Sequence, residues 1–309
     1  MQKKIGFMGT PNFAVPILKS IFQNGFEVSV VYTQPPSKSN RGQKFEKSSV
    51  HSFAETINLD VRTPHQLKNN KSEYEYFKNL NLDLVIIVAY GIIIPKEFLS
   101  LSKEGFINLH ASILPQWRGA APIQRAIMNQ NKETGISVMR INEKLDEGDI
   151  SHIFKINIEK NENAESLSER LSTLASEKIS EVIDSIIDKD IDFKPQDHSK
   201  ATYAKKIKKT EGLIDWNDRA ENIIGKINGL FPYPGGYFIY RGERYKILKA
   251  QISFSKDQPG KVLSSELEIS CGENSIKILE IQREGKKPQK INEFVIGSLI
   301  KKGTNLLNA

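Results

Sequence analysis

Apolar and polar positions follow two different rhythms along the chain. Through residues 1–190, continuous apolar runs such as KIGFMG, FEVSVVYT, LDLVIIVAY, GFINLH and TGISVMRI are separated by stretches of helical spacing such as FAVPILKSIFQN and PIQRAIMNQ. Runs without polar alternation are what strands covered on both faces require. The pattern therefore predicts an α/β domain, a Rossmann-like and mostly parallel sheet with helices on both faces. The first helix should close at the Asn24-Gly25 pair and carry Pro16 in its first turn. Between Asn163 and Asp190, Leu167, Leu171, Leu174, Ile179, Val182, Ile183, Ile186 and Ile187 form one apolar stripe, so a long helix should close the domain.

Periodicity then fades. The stretch DFKPQDHSKATYAKKIKKTEGL gains Lys and Pro, and residues 191–206 are expected to form an interdomain linker. Beyond it WNDRAENIIGKINGL has the spacing of a short helix. The segments GYFIYRG, RYKILKAQISF, GKVLSS, LEISCG and SIKILEIQ alternate polar and apolar residues between Gly, Asn and Ser breaks. Such short, evenly spaced strands predict a small antiparallel β-barrel, OB-like, over residues 207–309.

Composition changes the picture only where it is uneven. With 39% hydrophobic and 26% charged residues, the 309-residue chain has the make-up of a globular protein large enough for two domains. No window reaches the ~18 apolar residues of a membrane span, and Gly and Pro break the apolar patch of MQKKIGFMGTP, so no membrane association and a cytoplasmic location are expected. Cys271 is the single cysteine, and no Cys or His cluster has zinc spacing, so no metal is expected. Residues 1–204 balance 25 Lys and Arg against 25 Asp and Glu. Residues 205–309 hold 19 against 12, which is the whole net charge of +7. A positive field confined to one third of the chain suits a polyanionic partner, although a merely basic surface would produce the same count.

The candidate chemistry lies in NLHASILPQWRGAAPI. Asn108 and His110, two apart on a strand, share one face and should sit at the carboxyl end of the sheet, where open α/β sheets bind ligands. A His moves a proton near neutral pH, and an Asn amide can donate to an oxygen gaining negative charge, so the pair suits attack of an amine on a carbonyl. Standing alone, the same pair would more often only satisfy nearby backbone groups. The loop KLDEGDI offers Asp146, Glu147 and Asp149 as carboxylates to orient the histidine, and spacing leaves open which of them does so. The segment GFMGTP lacks the G-x-G-x-x-G pattern of a dinucleotide site. The loop QPPSKSNRGQKFEK carries Lys38, Arg41, Lys44 and Lys47, as either a solvated loop or a lid over a polyanion.

The segments FMGTPNFAVP, TQPPSKSNRGQK, AYGIIIP, NLHASILPQWRGAAPIQ, TGISVMRINEKLDEGDI, ATYAKKIKK and FPYPGGYFIY together resemble the folate-dependent formyltransferases, in the branch that modifies methionyl-tRNA. The resemblance implies that residues 1–190 are the catalytic domain and residues 207–309 a tRNA-binding domain. It implies 10-formyltetrahydrofolate as the formyl donor and the amine of methionine on initiator methionyl-tRNA as acceptor, in a monomer. It matches Asn108, His110 and Asp146 to the family's catalytic trio, and Ser112, Ile113, Leu114 and Pro115 to its folate-contacting run, with Ala89, Tyr90 and Gly91 helping to line the pterin pocket. Arg41 matches the loop arginine linked to the aminoacyl end of the tRNA, with Lys44 nearby. Lys206 lies in the matching interdomain stretch, and Lys205, Lys208 and Lys209 beside it are expected to bind phosphate. The chain departs from the family at Pro36-Ser37, where an acidic-basic pair is frequent, and at Tyr233-Pro234, where Trp-Pro is usual.

Two other readings compete. A formyltransferase of the same fold could act on an amino sugar nucleotide or another small amine, which leaves the basic second domain unexplained. A noncatalytic RNA-binding protein would explain that domain and leave Asn108, His110 and Asp146 idle.

Overall fold

The computed structural model describes residues 3–39 and 44–307, which cluster into two units. The first lies within residues 1–119, 135–156 and 168–203; the second lies within residues 120–134, 157–167 and 204–309. Arg41 falls outside the described residues.

In chain order the first part runs β1 (Lys4–Gly9), α1 (Val15–Gln23), β2 (Glu27–Tyr32), the hairpin β3 (Ser37–Ser39) and β4 (Lys44–Glu46), α2 (Ser49–Thr56), β5 (Val61–Arg62), α3 (Lys71–Asn79), β6 (Leu84–Val88) and β7 (Phe106–His110). It continues with the short β8 (Arg118–Gly119), α4 (Pro122–Met128), β9 (Glu133–Arg140), β10 (Ile150–Asn157), α5 (Ala164–Ile187) and β11 (Tyr203–Ala204). Seven strands form one sheet in the order β10-β9-β7-β6-β1-β2-β5. The β5-β2-β1-β6-β7 block is parallel throughout, and β9 reverses direction against β7. The sheet is thus mostly parallel, as the apolar runs require: all five residues of β6 are buried. The chain starts at the centre, winds outward through β2 and β5, then returns to the other side of β1. The carboxyl ends of β1 and β6 therefore diverge at a switch point, the place where such sheets leave a crevice.

The expected helix boundaries have clear local causes. Pro16 sits in the first turn of α1, and the helix closes at Asn24 with Gly25 at φ +82°. The stripe of α5 is buried at Leu171, Ile179, Val182, Ile183 and Ile186, and its Ser172 hydroxyl donates to the Phe13 carbonyl at 2.7 Å. Residues after α5 do not run free. Ile150 and Lys194 exchange backbone hydrogen bonds of 2.8 and 2.9 Å, and Gln196 is buried.

The second unit is built on α6 (Ala220–Gly229) and the strands β12 (Gly236–Tyr240), β13 (Glu243–Ser253), β14 (Glu268–Ser270), β15 (Ser275–Arg283) and β16 (Gln289–Lys290), followed by α7 (Ile291–Gly297). The strands pair antiparallel in the order β12-β13-β15-β14, with β16 on β15. Register shifts around Lys249 coil β13, as bulges do in a sheet that curls. Trp216, Phe238, Tyr245 and Ile247 are buried at its core, and the Phe238 and Tyr245 rings stack 5.4 Å apart. Helix α4, which PIQRAIMNQ announces, clusters with this unit and packs on α6. Gly229 makes that approach possible, because a Cβ there would stand 2.5 Å from Met128 Cγ.

Candidate active site

Strand β7 delivers Asn108 and His110 to the carboxyl edge of the sheet, opposite Met139 and Ser137 of β9. His110 is 6% exposed, and its Nε2 lies 2.9 Å from the Trp117 carbonyl. A carbonyl can only accept, so Nε2 carries a hydrogen, and in the neutral ring Nδ1 is bare. That bare nitrogen faces Asp146 Oδ2 at 3.7 Å, beyond a hydrogen bond. Asn108 is half-buried, and no hydrogen bond engages its side-chain amide among the described residues. A polar amide held on a rigid strand with no partner is available to a ligand.

Of the three acids that spacing left open, the geometry brings only Asp146 to the histidine. Glu147 turns to Arg118 instead, with Oε1 3.2 Å from Nη1. Asp149 is exposed, and its carbonyl accepts from the Arg140 N–H of β9. Asp146 sits at φ +51° in the turn after β9, and the Gly119 N–H donates to its Oδ2 at 2.8 Å. Left-handed conformations at Trp117 (φ +60°) and Asp146, neither of them glycine, concentrate backbone strain at this site.

Residues 117–119 thus connect the pair. Trp117 offers its carbonyl to His110, Arg118 engages Glu147, and Gly119 offers its N–H to Asp146. The segment is held by two bonds to Thr202: its Oγ1 accepts from the Trp117 N–H at 2.9 Å, and its carbonyl accepts from the Arg118 N–H at 2.9 Å. Sequence reasoning missed these roles. The visible signal was a lone Arg between Trp and Gly in an apolar turn, whereas Thr202 and Gln196 lie in a stretch without periodicity and gave none.

The residues matched to a folate pocket stand at the ends of β6 and β7. Ser112 is buried, and its hydroxyl donates to the Gln116 carbonyl at 2.6 Å, so it ties the turn together. Ser137 of β9 anchors the same turn, donating to the Ser112 carbonyl at 2.7 Å and accepting from the Leu114 N–H at 3.0 Å. Leu114 is buried, whereas Ile113 and Pro115 are half-buried. Ala89 and Gly91 are exposed at φ +48° and +80°. The Tyr90 ring packs into the apolar cluster with Phe77 and Phe98, and its carbonyl accepts from Thr10 Oγ1 at 2.8 Å and Gln34 Nε2 at 3.1 Å. Those bonds draw the turns after β1, β2 and β6 together at the switch point.

In the second unit, Lys205, Lys206, Lys208 and Lys209 are all exposed. Beside them, Lys209 Nζ lies 6.0 Å from the ring centre of Tyr233, which is 65% exposed, and the Arg244 guanidinium lies 3.8 Å over Tyr237. Lys209 and Tyr233 are exposed, whereas Arg244 and Tyr237 are half-buried. Lys44 lies in β4, paired with Ser39 of β3. Among the described residues no helix is long and apolar enough to cross a membrane, and no group of three or more His, Cys, Asp or Glu could hold a metal ion.

Residues 3–183 match the family described as Formyl transferase, and residues 206–299 match Formyl transferase, C-terminal domain. A methionyl-tRNA formyltransferase from Pelagibacter ubique is 61% identical over 309 residues, covering 100% of both chains. Another, from Caldanaerobacter subterraneus subsp. tengcongensis, is 43% identical over 98% of this chain and 99% of its own. In fold, the chain is similar to an N-formyltransferase from Helicobacter canadensis solved with folinic acid and dTDP-3-aminofucose, at a TM-score of 0.67 and 21% identity, over 92% of this chain and 100% of that one. Full-length identity of this order, with both family domains in sequence, decides the matter: the chain belongs to the methionyl-tRNA formyltransferase family.

Proposed function

We propose that the protein transfers the formyl group of 10-formyltetrahydrofolate to the α-amino group of methionine on initiator methionyl-tRNA, giving N-formylmethionyl-tRNA for translation initiation. The observation that carries this reading is the grouping of Asn108, His110 and Asp146 in a chain that matches methionyl-tRNA formyltransferases along its whole length. A formyl donor needs an amide or similar group for its oxygen and a nearby proton acceptor, and the unengaged Asn108 amide beside the bare Nδ1 of His110 fits that need. Residues 89–91 and 112–115 would hold the folate at the switch point, with backbone groups on both strand ends. When bound, the folate supplies an activated formyl group on nitrogen.

The chain's own residues then do the following. Asn108 donates to the formyl oxygen as negative charge develops there. His110 accepts at Nδ1 the proton shed by the attacking amine as the new C–N bond forms, and returns it to the nitrogen that departs. Asp146 stabilises the ring while it is charged, and Trp117 keeps Nε2–H fixed so that Nδ1 stays the acceptor. In the second unit Lys205, Lys206, Lys208 and Lys209 bind phosphates of the tRNA, and Tyr233 adds an aromatic surface. We read its antiparallel sheet as an OB-like barrel, residues 191–206 as the linker between a catalytic and a tRNA-binding domain, and the protein as a cytoplasmic monomer. Arg41 and Lys44 are assigned to the aminoacyl end of the tRNA.

The test offers the purified protein 10-formyltetrahydrofolate with four acceptors: methionine on initiator tRNA, methionine on elongator tRNA, free methionine and an amino sugar nucleotide. Formylation of the initiator species is expected. Formylation of the sugar alone would overturn the substrate, and no transfer to any acceptor would overturn the enzyme.

A further inference from the structure

Arg118 is 1% exposed, and a guanidinium does not shed its charge on burial, so its surroundings must satisfy it. Its Nε and Nη2 donate to Gln196 Oε1 at 3.1 and 2.8 Å, Nη2 lies 3.0 Å from His198 Nδ1, and Nη1 lies 3.2 Å from Glu147. Gln196, itself 7% exposed, turns its other end to the loop of Asp146. Its Nε2 donates to the Asp146 carbonyl at 2.9 Å and to the Gly148 carbonyl at 2.7 Å. One side-chain amide thus spends its acceptor on the arginine and both donors on the backbone either side of Glu147. Two charge-assisted bonds at Oε1 polarise the amide and strengthen the donors at Nε2.

A buried ion pair is weak evidence for a role in stability alone. Here the network ends on the backbone of the residue that faces His110. Asp146 is held at φ +51°, a conformation that costs of order 1–3 kcal/mol and relaxes unless its neighbours forbid it. Relaxation would swing the carboxylate away from Nδ1, and the separation is already 3.7 Å. We propose that Arg118 and Gln196 are positioning residues, a buried clamp that fixes the backbone of Asp146 so that its carboxylate faces His110. The proposal rests on the reading of Asp146 as the partner of His110 in formyl transfer. It also explains why the turn after β7 contains an arginine: the cation serves the loop, not the tRNA.

The test is a double-mutant cycle in the full-length protein with initiator methionyl-tRNA as acceptor, comparing Gln196→Leu, Asp146→Asn and the double variant. Gln196→Leu should lower kcat ~10–100-fold, the scale of a misplaced catalytic group, with KM for both substrates within about twofold of the parent. On the Asp146→Asn background the same substitution should cost less than about twofold more, because the residue it positions is already gone. An equal loss on both backgrounds, a loss expressed in KM, or unchanged kcat would each overturn the positioning role while the parent stays active. A parent without transfer would overturn the functional reading itself, and this role with it. If Gln196→Leu does not fold, Gln196→Glu runs the same cycle: it keeps the bond to Arg118 and the volume but loses the donors. Full activity of Gln196→Glu overturns the proposal.

Discussion

Residues 117–119 and residues 205–209 are both short, polar and basic, yet they are built in opposite ways. In the first, Arg118 is buried and every residue has fixed partners: a ring nitrogen for Trp117, a carboxylate and an amide for Arg118, and a second carboxylate for Gly119. In the second, four lysines stand in solvent, and no carboxylate pairs with their ammonium groups among the described residues. The difference separates two kinds of recognition. Stabilising charge that develops in a reaction requires groups fixed beforehand, where small displacements are expensive. Attracting a polyanion requires only a field, which tolerates movement and is screened by salt. Perturbing the first region should change turnover without affinity, and perturbing the second should change affinity without turnover.

The sharpest break comes at Asn108. Asn108→Ala should lower kcat by ~10²–10³, the loss seen when one donor to a developing oxyanion is removed, with tRNA affinity unchanged in a filter-binding assay. Near-parental turnover would remove the residue from the chemistry. Next in size, Gly119→Ala adds a Cβ at φ +114°, where no L side chain is at ease, and should displace the N–H that holds Asp146. A loss of about tenfold or more in kcat is expected, again with tRNA affinity intact. Weakened tRNA binding in that variant would blur the contrast between the two regions.

On the other side of the comparison, replacing Lys206 or Lys208 by Ala should weaken binding of initiator and elongator tRNA about equally and lower the salt slope by ~1 each. Turnover at saturating tRNA should stay near parental. A kcat effect as large as that of Asn108→Ala would mean that the lysines orient the substrate rather than attract it.

The same contrast explains what could be read from the sequence. Apolar periodicity announced β1, β2, β6, β7, β9 and the stripe of α5, because burial of a strand or helix face is written locally. Asn108 and His110 were legible because two residues apart on one strand is also a local relation. The choice of Asp146 over Glu147 by geometry was not, since it depends on Arg118 drawing Glu147 away across more than twenty residues. Gln196 was invisible for the same reason: its bonds reach back 48 and 50 positions to Gly148 and Asp146. Helix α4 was expected from its spacing, but its membership of the second unit depends on the approach of Gly229 to Met128, which no local pattern encodes. The basic bias of the last third was a matter of counting, and Lys205, Lys206, Lys208 and Lys209 do stand exposed.

The smallest effect concerns what holds the lysine stretch in place. Within the second unit Arg125 of α4 donates through Nη1 and Nη2 to Glu211 at 2.6 and 3.2 Å, and to the Lys205 carbonyl through Nη2 at 3.0 Å. The Arg125 guanidinium holds the Glu211 carboxyl below the usual glutamate range, against a smaller opposing effect of burial and with help from the Lys208 N–H. A carboxylate whose folded value is depressed adds stability at pH above its unfolded value, ~4.3, and loses it as pH falls through the lower folded value. The pair is partly exposed, so Glu211→Gln should cost ~0.2–1 kcal/mol at neutral pH in chemical denaturation. That gap should hold from pH 8 to about 5, begin to narrow near ~4.3 and close as pH falls through the lower folded value, where the folded parent's carboxylate takes up its proton. A gap that widened toward acid would mean that Glu211 is held in its protonated form, contrary to the bonds it accepts. Even where the gap is fully open, tRNA affinity should fall less than it does for Lys206→Ala, because a field survives the loosening of its support in a way that the contact between Asp146 and His110 does not.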